Sequence, residues 1–274
     1  MPDDQLLEGL NPAQREAVTC VEGPLLILAG PGSGKTRVVT TRIAYLLARG
    51  ISPKGMAALT FTNKAAEEMR ARLRQFPKGD QVWISTFHRF CSMLLRKYAP
   101  FVGLAENFTI LDAEDSLSIV KSVLDDATLP ASKCTPQQIA RLISNAKNDL
   151  VPPEALARRA RTNQERVAAE AYPRYQRHLA TANAVDFDDL LCHVAHLLHD
   201  QTELRALLDE HFRYVMVDEY QDTNRAQYAV VRGLSVDHPN LAVTGDPDQS
   251  IYSWRGANIG NILSFERDYP GARV

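Results

Sequence analysis

Leu25-Leu26-Ile27-Leu28-Ala29-Gly30-Pro31-Gly32-Ser33-Gly34-Lys35-Thr36 decides the fold. The apolar run Leu25 to Leu28 reads as a buried parallel strand. From Thr36 to Arg49, apolar residues recur at Val39, Ile43, Leu46 and Leu47, one side of a helix. Strand, glycine loop and helix in that order make a P-loop. The glycines let backbone N–H groups and the helix N-terminus converge on the β and γ phosphates of a nucleotide. Lys35 adds positive charge there, and the Thr36 hydroxyl is suited to ligate Mg²⁺. The strict pattern begins with Gly where this chain has Ala29, while Gly30 and Gly32 keep the loop flexible.

Working outward, the second decisive stretch is Tyr214-Val215-Met216-Val217-Asp218-Glu219-Tyr220-Gln221-Asp222-Thr223-Asn224. It is a short apolar strand ending in two acids, and carboxylates at that end of a parallel strand face the crevice where open α/β sheets bind ligands. Asp218 is expected to hold Mg²⁺, and Glu219 to polarise the water that attacks the γ phosphate. Alone, such a pair is more often a helix cap or a solvated turn. With a P-loop upstream, the catalytic reading prevails.

The chain has 274 residues, enough for about two domains with a sizeable core. Lys plus Arg number 31 and Asp plus Glu 33, a net charge of −2, so any nucleic-acid binding must come from a local channel. Cys20, Cys91, Cys134 and Cys192 form no C-x-x-C pair, which argues for isolated buried thiols in a reducing compartment. The acidic start Met1-Pro2-Asp3-Asp4 has no apolar core, and no run approaches a membrane span. A cytoplasmic protein without a membrane partner, monomeric in isolation, is expected.

Leu10 to Val18 reads as a helix start with Asn11 as N-cap and Pro12 in the first turn. Gln14 has two readings of equal weight: it closes a capping box on Asn11, or its amide matches the edge of adenine. Met56 to Phe61 and Val82 to Ser85 read as further strands. Each ends in polar residues, Thr62-Asn63-Lys64 before a helix and Thr86-Phe87-His88-Arg89, suited to a phosphate backbone. Between about Phe90 and Phe212 the pattern turns helical, an insertion carrying Arg158, Arg159, Arg161 and Arg166 and the acidic stretch Asp186-Phe187-Asp188-Asp189, whose acids helix capping explains. Leu241 to Thr244 is a last strand, followed by Gly245 to Ala257. There Gln249 is placed to sense the γ phosphate, and Tyr252 and Trp254 offer flat faces on which single-stranded bases stack.

In order along the chain, Leu10 to Gln14, the P-loop, Thr60 to Ala66, Thr86 to His88, Asp186 to Asp189, Val217 to Asn224 and Asp248 to Ala257 resemble the UvrD/Rep/PcrA-like superfamily 1A DNA helicases. The resemblance spans essentially the whole chain. It implies a RecA-like core with a parallel sheet, residues 1–89 plus 212–274, interrupted by a helical subdomain at 90–211. It implies an ATP and Mg²⁺ site built from Gln14, Ala29, Gly30, Pro31, Gly32, Ser33, Gly34, Lys35, Thr36 and Arg37, with Asp218 on the metal and Glu219 and Gln249 in catalysis. It also implies that Phe61, Thr62, Asn63, His88, Phe187, Tyr252, Trp254 and Arg255 contact single-stranded DNA, with duplex junctions as substrate. Pro31 stands where most relatives have Ala, and Arg89 where they have Ser or Gly; neither touches a catalytic atom.

The family implies a second RecA-like lobe beyond Val274, supplying arginine fingers and a base-stacking Tyr. The 274 residues are therefore expected to be the N-terminal part of a 3′-to-5′ helicase serving DNA repair or replication, weakly active or inactive alone. The alternatives are a regulatory module that binds nucleotide and DNA, a subunit of a helicase-nuclease complex, and a P-loop kinase. The kinase reading is opposed by the aromatic-rich loop after Gln249.

Overall fold

In this computed structural model the described residues are 3–125, 134–249 and 257–274. They form two compact units. One takes the described residues up to Phe90 with those of Leu198–Thr223 and Tyr228–Val274; the other takes those of Cys91–Leu197 with Asn224–Gln227. The strands are β1 (Leu25–Leu28), β2 (Met56–Thr60), β3 (Trp83–Thr86), β4 (Thr109–Ile110), β5 (Ala184–Val185), β6 (Tyr214–Val217) and β7 (Leu241–Gly245).

In the first unit five strands form a wholly parallel sheet in the order β1-β7-β6-β2-β3. Every residue of β2, β6 and β7 is buried, as unbroken apolar runs in a sheet covered on both faces require. β1 departs from the expected buried strand at its end, where Ile27 is half-buried and Leu28 is 51% exposed. β1 lies at the sheet edge, and its outer side pairs with Arg273, which accepts from Leu26 N at 2.8 Å and donates to Pro24 O at 2.9 Å.

The helix Lys35–Ala48 buries Val38, Val39, Ile43 and Leu46, the side the sequence pattern predicts. Arg42 is also buried on this helix. Its guanidinium donates to the carbonyls of Ala17, Cys20 and Val21, satisfying the otherwise orphaned end of the helix Pro12–Thr19. That bond pins the short helix carrying Gln14 beside the P-loop.

The second unit packs the helices Ala113–Asp125, Pro136–Asn148 and Asn163–Thr181 around Val120, Ile139, Ile143, Val167, Tyr172 and Leu179. Capping boxes at Thr135 with Gln138 and Thr162 with Glu165 start two of them. Beside these helices the unit carries a small parallel ladder that the sequence pattern did not show, Thr109 opposite Ala184 and Ile110 opposite Val185. Two residues per strand are too few to show a period-two pattern in sequence. Cys20, Cys91 and Cys192 are buried, but Cys134 is only half-buried.

Candidate nucleotide site at the sheet edge

Because all five strands run the same way, their carboxyl ends share one edge. Leu28 lies opposite Gly245, Val217 opposite Leu59, and Thr60 opposite Thr86. Strand order then sorts the candidate residues. The P-loop after β1, the Asp246–Gln249 turn after β7 and Asp218-Glu219 after β6 are neighbours. Phe61, Thr62 and Asn63 after β2 and His88 after β3 occupy the rest of the edge.

The P-loop closes with Gly34 in the left-handed region at φ 87°, a conformation glycine adopts without steric cost, directly before the helix at Lys35. Ser33 Oγ donates to Gly30 O at 2.6 Å. Lys35 is buried and its Nζ donates to Ala29 O at 3.1 Å, so the ammonium folds back over the loop. The same Nζ lies 3.7 Å from Glu219 Oε2. Gln14 closes the capping box and also reaches the P-loop. Its Oε1 accepts from Asn11 N at 3.1 Å, closing the capping box, and its Nε2 donates to Ser33 O at 2.9 Å. Arg37 is exposed, donating to Glu8 O at 3.4 Å. Pro31 and Gly32 are exposed at the loop tip, and Thr36 is half-buried.

Asp218 is buried, and burial pushes its acid above the ordinary carboxylate range; bonds from the Thr244 hydroxyl and the Glu219 N–H to Oδ1, and the charge of Lys35, oppose that shift. A carboxylate such as Asp218 and a hydroxyl such as that of half-buried Thr36 are hard-oxygen donors of the kind Mg²⁺ takes, an ion that commonly uses few protein ligands and completes its shell with phosphate and water. The described residues hold no cluster of three His, Cys, Asp or Glu that would suit a protein-caged metal instead. Glu219 itself has φ 54°, a left-handed conformation that costs a non-glycine residue about 1–2 kcal/mol and is found most often at functional sites.

The adjoining turn binds these groups together. Gln221, buried, donates Nε2 to Glu219 Oε2 at 3.0 Å and accepts Asp246 N–H on Oε1 at 3.1 Å. The Asp246 carboxylate in turn accepts from the Gln249 side-chain amide and, at 3.0 Å, from Asp248 N. Sequence reasoning assigned nothing to Gln221, Thr244 or Asp246, because no spacing signal exists until β7 is known to lie beside β6. Gly245 is required here: a Cβ on it would stand 2.7 Å from Gln221 Oε1 and 2.6 Å from Ile262 Cδ1. Gly245→Ala is expected to cost about 1–3 kcal/mol through overpacking. Thermal denaturation checks this, and an unchanged melting temperature would refute it.

At the other half of the edge, Thr62 caps the helix Asn63–Leu73 by accepting Ala65 N–H at 3.1 Å, and both Thr62 and Asn63 are exposed. The half-buried Phe61 ring sits 5.5 Å from that of buried Phe87. His88 is half-buried in the first turn of the helix Phe87–Tyr98. Phe187 belongs to the second unit, where it is 52% exposed at the start of the helix Phe187–Asp200. Asp186 caps that helix by accepting Asp189 N–H at 2.8 Å, and Asp189 accepts Asp186 N–H at 3.2 Å in return, whereas Asp188 accepts from Asn148 Nδ2 at 2.9 Å. Tyr252, Trp254 and Arg255 lie outside the described residues.

A P-loop on β1 and acids on β6, in a five-stranded parallel sheet interrupted by a mainly helical unit, define a RecA-like helicase domain. The chain belongs to the UvrD/REP helicase N-terminal domain family, whose model matches residues 10–270. It is similar to the ATP-dependent DNA helicase PcrA of Bacillus subtilis (strain 168), 48% identical over 99% of this chain and 37% of that protein. The proteins of the same name from Staphylococcus aureus (strain Mu50 / ATCC 700699) and Staphylococcus epidermidis (strain ATCC 35984) are 48% and 46% identical over 98% of this chain. The chain spans 37% of the length of each of these relatives. No helix among the described residues is long and apolar enough to cross a membrane.

Proposed function

We propose that these residues are the ATP-binding, DNA-contacting N-terminal part of an ATP-dependent 3′-to-5′ DNA helicase acting in DNA repair or replication. The observation that carries the reading is the meeting of Lys35, Glu219, Gln221, Asp246 and Gln249 in one bonded group at the edge where the P-loop opens. Family membership supports the DNA substrate, the polarity and the partner lobe in cis.

In this reading the loop Ala29–Thr36 and the helix dipole hold the triphosphate, and Lys35 turns from Ala29 O to the β and γ phosphates. Gln14 and Arg37 flank the base. Thr36 and Asp218 would hold Mg²⁺, which supplies charge neutralisation on the phosphates. Glu219 accepts the proton of the attacking water, and Gln249 reports the γ phosphate to the segment that follows it. Phe61, Thr62, Asn63 and His88, with Phe187, Tyr252, Trp254 and Arg255, contact the single strand.

ATP hydrolysis with and without single-stranded DNA tests the reading. Residues 1–274 alone are expected to turn ATP over slowly and to unwind nothing, because the family resemblance implies arginine fingers supplied by a second lobe, and such fingers are typically worth 10³–10⁵ in rate. The full-length gene product is expected to show DNA-stimulated turnover. Turnover of several per second by residues 1–274 would refute the first expectation, and a full-length product without ATPase activity would refute the motor.

A further inference from the structure

We infer that Gln221 is a positioning residue for hydrolysis: it fixes the Glu219 carboxylate as a base and ties its orientation to the Asp246–Gln249 turn. The inference rests on the proposed role of Glu219 and extends it to a residue that never meets the nucleotide.

Gln221 is 1% exposed, directly behind the carboxylate in the short 3₁₀ turn Tyr220–Asp222. Both polar ends of its amide are used. Nε2 donates to Glu219 Oε2 at 3.0 Å, and Oε1 accepts Asp246 N–H at 3.1 Å. The turn after β7 closes on Asp246, whose backbone carbonyl accepts Gln249 N–H at 3.0 Å and whose carboxylate accepts the Gln249 side-chain amide. A shift of Gln249 is therefore felt at Asp246, then at Gln221, then at Glu219, through three successive hydrogen bonds.

The chemistry of the contact matters as much as its reach. The amide N–H holds Glu219 Oε2 at 3.0 Å and so fixes how the carboxylate is turned. Lys35 Nζ approaches the same oxygen, Oε2, at 3.7 Å. Among the described residues, these side-chain contacts to the carboxylate fall on Oε2, which leaves Oε1 to take the proton of water. The missing Cβ at Gly245 lets the amide lie against β7: any larger residue would press on Gln221 Oε1. Glu219 stands in the left-handed region, so its backbone already restricts the side chain, and the amide selects the rotamer.

The test is DNA-stimulated ATP hydrolysis by the full-length gene product carrying Gln221→Met, Gln221→Glu or Glu219→Gln, with fluorescent ADP binding and melting temperature measured on each. Gln221→Met keeps the volume and removes both bonds. It is expected to lower kcat about 10- to 100-fold while KM and ADP affinity stay within about threefold, the pattern of an interaction made mainly in the transition state. Gln221→Glu replaces the donating amide with a second carboxylate, and its kcat is expected to fall at least as far.

A Gln221→Met enzyme with kcat within twofold of wild type overturns the inference, as does one that loses ADP binding and kcat together, which would mark a merely structural residue. A Gln221→Glu enzyme with kcat within twofold of wild type overturns it as well. If Glu219→Gln keeps normal kcat, the reading of Glu219 fails first and takes the inference with it. If Glu219→Gln is inactive and Gln221→Met is normal, the inference alone fails.

Discussion

Lys147→Met is expected to destabilise the helical unit by about 3–5 kcal/mol, the usual cost of removing one partner from a buried ion pair. Lys147 is buried at the end of the helix Pro136–Asn148, with Nζ 2.6 Å from Asp186 Oδ2 and 2.7 Å from Asp189 Oδ1. Tyr175 OH adds a bond to Asp186 Oδ2 at 2.8 Å, and Gln176 Nε2 one to Asp189 Oδ1 at 3.1 Å. Without the ammonium, two desolvated carboxylates face each other. At about 2–4 °C per kcal/mol for a domain of this size, the melting temperature should fall by roughly 10 °C.

The pH dependence gives this prediction a sign. Burial opposes the charge of Lys147, but Asp186 and Asp189 outweigh it and hold its pKa above the ordinary lysine value. Burial likewise raises Asp189, and the Lys147 charge outweighs it, so Asp189 lies below the ordinary carboxylate value. The depressed acid stabilises the fold above its unfolded pKa of about 4, and that contribution is lost as pH falls through the folded value. The raised lysine stabilises fully below about 10.4, and is lost as pH rises through its folded value. The wild-type advantage over Lys147→Met should therefore be full between about pH 4 and 10 and shrink below it. Urea unfolding at pH 7 and pH 3 measures the gap, and an equal gap at both would remove the ion cluster as its cause.

Glu219→Gln is expected to lower kcat for ATP in the full-length product by about 10²–10⁴, the range for loss of a general base. The amide is isosteric and still accepts a hydrogen bond, but it cannot take the proton from water. Nucleotide should still bind, because the substitution removes a negative charge 3.7 Å from Lys35 Nζ and leaves the loop intact. Lys35→Ala has the contrary signature, with weakened ATP affinity. A Glu219→Gln enzyme hydrolysing ATP within fivefold of wild type would place the base elsewhere.

The local elements of the candidate site were legible because each is contiguous in the chain. The P-loop needs one strand, one glycine turn and one helix start, all contiguous from Leu25 to Ala48, and the structure has that sequence of elements. Asp218 and Glu219 likewise follow their strand directly. For Gln14 the capping box was legible because it depends on a neighbour three residues away, whereas the bond to Ser33 was not, because it depends on how the helix Pro12–Thr19 is docked. Phe187 was read from a motif, and the three acids Asp186, Asp188 and Asp189 around it as caps. The lysine that both Asp186 and Asp189 embrace lies on another helix and left no trace in the pattern.

The sequence by itself determined which main segments are strands and helices, and that the glycine loop and the acid pair each directly follow a strand. Backbone sterics and the burial of one side of each element act over a few residues, and those rules are written in local order. Only the tertiary structure decided that β7 and β6 fill the space between β1 and β2, and thereby that Gln221 joins Glu219 to Asp246. It also decided the β4–β5 ladder and the burial of Lys147 between two acids. Such contacts join residues far apart in the chain. They are fixed by closing the sheet and filling its cores, to which every element contributes and which no single stretch encodes.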